Sequence, residues 1–203
     1  MTSRGILIVF SGPSGVGKDS VLRTYMQSSS NCVLSISATT RELRPGEVDG
    51  IDYHFISLED FEQMASQGEF LEYAEFSGNY YGTPAGWVEE NLSAGKNVFI
   101  EIELKGAAKV RKDHPEALFI FLMPPCLDVL ENRLRSRGTE DEAAIRRRLA
   151  VARAEIELGK DYDFVITNHT IKKSCEQLAA VVEAAPCHIK YKRRFIEEVL
   201  ENA

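Results

Sequence analysis

The chain has 203 residues, 44% of them hydrophobic and 27% charged, which suits a globular unit with a full core and excludes a disordered chain. A net charge of -7 and a pI near 5.2 argue against a general nucleic-acid binder, although basic residues cluster locally. Four widely spaced cysteines, Cys32, Cys126, Cys175 and Cys187, lack metal-ligand or redox spacing and read as thiols of a reducing compartment without disulfides.

Met1-Thr-Ser-Arg-Gly leads straight into a short strand without signal-peptide form, and no stretch approaches roughly 18 apolar residues, so a cytoplasmic protein with no membrane partner is expected. The apolar run Ile6 to Phe10 predicts a buried strand. It is followed by Gly12-Pro13-Ser14-Gly15-Val16-Gly17-Lys18, and Val21, Leu22, Tyr25 and Met26 then fall at helical spacing. Strand, glycine-rich loop and helix start together form a phosphate cradle: the glycines bring backbone N–H groups close to an anion, and Lys18 adds a point charge. The pattern ordinarily has Ser or Thr directly after the lysine, whereas this chain has Asp19 and then Ser20.

Cys32 to Ser37 predicts a short strand, and the polar stretch Ala38 to Asp52 is expected to lie outside the core. Tyr53 to Ile56 predicts a strand. Ser57 opens a helix carrying Leu58, Phe61, Met64 and Ala65 on one face and ending near Gly68. Glu69 to Ser77 reads as a strand, Gly78-Asn79 as a turn, and Pro84 as the first residue of a helix that stops at Gly95. The apolar runs Asn97 to Ile102 and Ala117 to Leu122 flank a helix from about Lys105 to Lys112, the alternation of a parallel sheet covered by helices. Helices are expected over Leu127 to Arg135, Glu140 to Leu158, Cys175 to Ala184 and Tyr191 to Leu200, with a last strand at Tyr162 to Thr167. The sum is a doubly wound α/β core, residues 1–34, 83–134 and 162–203, interrupted by an insertion at 35–82 and a charged helical arm at 135–161.

Thr39-Thr40-Arg41-Glu42-Leu43-Arg44 places two guanidinium groups three residues apart, with Tyr53 nine residues beyond Arg44. Arginine forks suit phosphate oxygens, while the plainer alternative is a solvated basic loop. Glu69, Glu72 and Glu75 alternate loosely along one strand, and periodicity does not choose among them. The four histidines show no spacing for a metal or a general base, and Lys190 to Phe195 is a short basic run that reads as a solvated helix face.

In this order after GPSGVGKDS, the segments SISATTRELRPGEVDGIDYHF, EFLEYAEFSGNYYGTP, FIEIELKGA and RSRGTEDE closely resemble the guanylate kinase family, from about Ile6 to Asn168. The resemblance implies a P-loop nucleoside monophosphate kinase fold in which 35–82 binds GMP and 135–161 is the lid. It implies transfer of the γ-phosphoryl of ATP, with Mg2+, to GMP or dGMP. By the same resemblance Arg41, Arg44, Tyr53 and Tyr81 hold the acceptor phosphate, and Ser37, Glu72 and Thr83 read the base. Glu101 and Glu103 stand near the magnesium and acceptor, Arg133, Arg137 and Arg148 serve catalysis with Lys18 and Arg41, and Asn168 lies near the donor adenine. Lys105 replaces a glutamine common in the family. Related kinases often have glycine after the loop lysine and a hydroxyl next, which makes Ser20 the metal-side hydroxyl; Asp19 either reaches the metal through water or only supports the helix start. Two rivals remain: a ribose 1,5-bisphosphate phosphokinase, where a GKDS loop also occurs, and a non-catalytic guanylate-kinase-like binding module.

Overall fold

The computed structural model describes residues 4–76, 78–136 and 141–201. Its elements begin with β1 (Leu7–Ser11), α1 (Lys18–Ser28), β2 (Cys32–Leu34), β3 (Ala38–Thr39), β4 (His54–Phe55), α2 (Leu58–Ser66), β5 (Phe70–Phe76), β6 (Asn79–Pro84) and α3 (Ala85–Ser93). They continue with β7 (Asn97–Glu101), α4 (Leu104–Asp113), β8 (Leu118–Met123), α5 (Leu127–Ser136), α6 (Glu142–Leu158), β9 (Phe164–Thr167), α7 (Ile171–Ala184) and α8 (Ile189–Glu201). The chain divides into two compact units, one of Met1–Phe10 and Ser30–Ala117, the other of Ser11–Ser29 and Leu118–Ala203. No helix among the described residues is long and apolar enough to cross a membrane.

In the first unit β2, β7 and β1 run parallel, with Leu7 opposite Val98 and Cys32 opposite Asn97. Ile8, Val9, Phe10, Val98, Phe99 and Ile100 are fully buried, which is why these strands read as unbroken apolar runs rather than alternating ones. The same unit holds a mixed sheet of order β4-β3-β6-β5. β3 pairs parallel with β4 and antiparallel with β6, and β6 pairs antiparallel with β5. α2 begins as its sequence predicts, with the Ser57 hydroxyl oxygen accepting from Asp60 N–H at 3.0 Å, and turns out of the helix at Gly68, whose φ is 71°.

Two expectations fail in this unit. Ala38 and Thr39 belong to the core, being 1% and 0% exposed, because the polar Thr39 is fully bonded: its hydroxyl donates to Tyr80 O at 2.9 Å and accepts from Arg41 N–H at 3.2 Å. Pro84 closes β6 instead of opening α3; it occupies the capping position with extended backbone, opposite Phe70.

Phe61 and Phe70 stack at 4.5 Å between centroids, with Ile56, Met64 and Tyr80 packed around them. Gly82 lies against this cluster, and a Cβ there would meet Phe70 Cδ1 at 2.7 Å and Phe61 Cζ at 3.1 Å. Gly82→Ala is therefore expected to destabilise the protein by about 1–3 kcal/mol through overpacking. An unchanged midpoint in urea unfolding would contradict this packing.

In the second unit β8 and β9 pair parallel, Ile120 opposite Phe164 and Met123 opposite Thr167. Leu118 to Leu122 are fully buried, each side chain worth about 1.5–3 kcal/mol of transfer free energy. α1 packs on α7, where Cys175 Sγ donates to Val21 O at 3.5 Å, and its Val21 and Leu22 are fully buried. α7 starts four residues before the predicted Cys175, since the Thr170 side chain caps the N–H of Lys173. α5 and α6 share Leu130, Leu134 and Ala152, and α6 is capped by Asp141, which accepts from Ala144 N–H at 2.7 Å. Glu140, the predicted start of that helix, lies outside the described residues. The four cysteines are free thiols.

Candidate active-site residues

The phosphate loop belongs to the second unit, between the end of β1 and the start of α1. Gly12 is required by close approach, as a Cβ there would sit 2.3 Å from Leu122 O. Gly17 is required by its φ of 97°, and it opens α1 without a side-chain cap, leaving the first N–H groups of the helix to an anion. Lys18 Nζ folds back to donate to Gly12 O at 2.9 Å. Asp19 and Ser20 are both exposed on the first turn of α1.

Four side chains from later in the chain meet this loop. Arg133 donates to Val16 O and to Asn168 O, both at 2.9 Å. Asn168 Nδ2 donates to the same Val16 carbonyl at 2.8 Å, and its Oδ1 accepts from the buried Ser174 hydroxyl at 3.0 Å. Arg148 on α6 donates to Ser14 Oγ at 2.7 Å, while Ser14 N–H points to Glu155 Oε2 at 3.4 Å. Thus Lys18, Arg133, Arg148 and Asn168 converge on the loop. Arg137 lies outside the described residues. Arg135 is exposed and ion-paired with Glu131 and Glu142. Ser174 and Glu155 were invisible to sequence reasoning, having no motif of their own.

In the first unit Glu72 and Thr83 are cross-strand neighbours on β5 and β6. Of the three alternating glutamates, Glu69 and Glu75 are exposed and Glu72 is 4% exposed. A register shift between Phe70 and Glu72 accompanies the inward turn of both side chains. Thr83 Oγ1 donates to Glu72 Oε1 at 2.8 Å. Burial pushes the Glu72 carboxyl above the ordinary range, opposed by the Thr83 hydrogen bond and by the charge of Lys109. Gly106 on α4 leaves room for this carboxylate: a Cβ would lie 2.6 Å from Glu72 Oε2. Lys109 sits 4.6 Å over the Tyr73 ring. The glycine of the FIEIELKGA segment was the one sequence signal for this contact.

Arg41 follows β3, with its guanidinium carbon 5.5 Å from the ring centroids of both Tyr53 and Phe55. Tyr53 meets Tyr81 edge to face at 5.8 Å, and the Arg41 guanidinium also donates to the Tyr81 hydroxyl. Arg41, Tyr53 and Tyr81 are thereby assembled into one cationic and phenolic cluster. The Arg44 side chain is exposed. Ser37 is half-buried and its carbonyl accepts from His54 N–H at 2.9 Å. Glu101 ends β7 and Glu103 caps α4 by its backbone, the latter side chain being exposed. Among the described residues no group of three or more His, Cys, Asp or Glu could hold a metal.

A guanylate kinase family model matches residues 4–185. The chain is 51% identical over 185 residues to a guanylate kinase of Streptococcus pneumoniae strain R6, covering 91% of this chain and 89% of that protein. It is 49% identical over 194 residues to a guanylate kinase of Bacillus subtilis strain 168, covering 95% and 94%. The crystal structure of guanylate kinase from Anaplasma phagocytophilum superposes with a TM-score of 0.77 at 32% identity, over 94% of this chain and 90% of that one. With a phosphate loop in one unit and a buried, hydroxyl-bonded carboxylate in the other, and with relatives matching along nearly its whole length, this chain belongs to the guanylate kinase family.

Proposed function

We propose that the protein is an ATP:GMP phosphotransferase, converting ATP and GMP or dGMP to ADP and GDP or dGDP. The observation that carries the reading is Glu72. A buried carboxylate already oriented by Thr83 can accept from guanine N1–H and the N2 amine together, and adenine has neither donor. Ribose 1,5-bisphosphate has no base for Glu72 to read, and the intact loop lysine and loop-bracing arginines speak against a module without catalysis.

On the donor side the loop N–H groups and Lys18 take the phosphates, Arg148 works beside Ser14, and Arg133 holds the Val16 turn while keeping further N–H groups for a phosphate. Asn168 stands next to that turn as the adenine-side residue. On the acceptor side Arg41, Arg44, Tyr53 and Tyr81 take the phosphate, and Ser37 and Thr83 join Glu72 at the base. No general base is required, because the attacking atom is a phosphate oxygen. The Ser20 hydroxyl and the Asp19 carboxylate, both exposed at the start of α1, form a hard oxygen donor set that fits Mg2+, with Asp19 acting through water. Bound there, the ion would neutralise phosphate charge. Glu101 and Glu103 complete the acidic side of the acceptor region. The free thiols fit a reducing cytoplasm.

ADP release measured with GMP, AMP or ribose 1,5-bisphosphate as acceptor tests the reading. GMP should support turnover and the other two should not. Absence of turnover with GMP overturns the proposal, and turnover that is indifferent to magnesium overturns the metal assignment.

A further inference from the structure

Arg44-Pro45-Gly46-Glu47 is a tight turn: Glu47 N–H donates to Arg44 O at 3.1 Å, and Gly46 has a φ of 91°, the combination of Pro and positive-φ Gly found at the centre of type II turns. The turn brings the Glu47 carboxylate back onto Arg41. Arg41 Nη2 donates to Glu47 Oε1 at 2.8 Å and Nη1 to Oε2 at 3.0 Å, and Oε2 also accepts the Arg44 backbone N–H at 2.9 Å. Both side chains are largely shielded, at 11% and 22% exposure. The second Nη1 hydrogen goes to Glu42 O at 2.7 Å.

These bonds account for three of the five guanidinium N–H groups. The two that neither Glu42 nor Glu47 takes are the Nε–H and the outer Nη2–H, a parallel pair on one edge whose spacing matches two oxygens of a phosphate, and Tyr81, the phenol placed beside the same phosphate, is the remaining side chain that bonds this guanidinium. We propose that Glu47 is a positioning residue, which clamps the end of the Arg41 fork so that its Nε–Nη2 edge is held ready for the acceptor phosphate. This rests on the GMP-acceptor reading and extends it to a residue that touches no substrate itself. Tyr53 and Phe55 flank the same guanidinium, so rotation of Arg41 about its long side chain is restrained by the carboxylate at its tip and the rings beside it.

Simple electrostatics makes the opposite prediction. Glu47 is a negative charge close to an anion site, and its removal would strengthen phosphate binding if charge alone mattered. Positioning predicts weaker binding, so the sign of the change decides.

The test compares the parent chain with Glu47→Gln and Glu47→Ala, each also in an Arg41→Ala background. Calorimetric titration gives the dissociation constants of GMP and guanosine, and initial rates give the KM for ATP. Both single variants should bind GMP about tenfold more weakly, with guanosine affinity and the ATP KM unchanged. In the Arg41→Ala background the Glu47 substitutions should add nothing, because the carboxylate acts through Arg41. Unchanged or tighter GMP binding overturns the assignment, as does an equal loss of guanosine binding, which marks a general collapse of the unit. The conservative Glu47→Gln keeps the side-chain volume and carries the test if the alanine variant folds poorly. A parent chain that binds ATP but no GMP would overturn the acceptor reading and this assignment with it, a failure distinct from one confined to the Glu47 variants.

Discussion

Lys18→Ala is expected to reduce kcat by about 10²- to 10³-fold, the usual cost of removing one cationic or hydrogen-bonding group that stabilises charge in a transition state. Its Nζ is held at the loop by the Gly12 carbonyl, 2.9 Å away, and the lysine starts α1 directly after Gly17. The neutral carbonyl orients the ammonium without cancelling its charge, so the full charge remains for the phosphates. Its bond to the Gly12 carbonyl is only part-buried, and truncation should leave the unfolding midpoint nearly unchanged. GMP binding should also be unaltered, since Glu72, Thr83 and the Arg41 cluster, the proposed GMP site, belong to the other unit. Lys18→Arg should recover only part of the rate: a broad planar fork cannot occupy the point position of an ammonium tucked under a loop. Steady-state rates at saturating ATP and GMP provide the check. A kcat for Lys18→Ala within threefold of the parent would sink the role of Lys18 in transfer.

The loop was legible because three independent signals coincide there: an apolar strand, glycines at fixed spacing and a helical face. The helices opened by Ser57 and closed by Gly68 and Gly95 were legible for a similar reason, since caps and positive-φ glycines are local chemistry. What escaped was set by distant partners. Thr39 looks like a surface residue in a polar run, and its burial depends on a hydrogen bond to Tyr80, 41 residues away. Among Glu69, Glu72 and Glu75, alternation alone left the choice open; the family resemblance named Glu72, and burial against α4 with a bond to Thr83 gives the physical reason. Arg133 reads from sequence as a cation for phosphate, and its visible work is to hold two backbone carbonyls. Glu47 escaped because its role is defined by a turn that folds it back on Arg41.

Glu72→Ala is expected to lower kcat/KM for GMP by roughly 10²- to 10⁴-fold and to cut the preference for GMP over AMP by a similar factor. A site built to accept two N–H donors rejects a base lacking them by leaving its own carboxylate buried with only part of its acceptor capacity met, a far larger penalty than a missing apolar contact. In the alanine variant that penalty vanishes, so AMP should gain while GMP loses. The ATP KM should not move. The pH dependence gives an independent test. Burial raises the carboxyl above its ordinary range, so the empty protein binds this proton more tightly than the unfolded chain does. Stability from this group is fully present below the unfolded carboxylate range and is lost as pH rises through the raised folded value. On the proposed base-reading role, guanine favours the ionised form, whose two oxygens accept its N–H groups. GMP affinity should therefore be level at high pH and fall as pH drops through the raised Glu72 value, while guanosine shows the same fall. In Glu72→Gln the fall with guanosine should disappear, because the amide does not titrate. Guanosine is the cleaner probe, as it lacks the phosphate whose own protonation changes in the same direction. A guanosine titration that keeps its acid limb in Glu72→Gln would place the titrating group elsewhere, and unchanged selectivity in Glu72→Ala would remove Glu72 from the base-reading site.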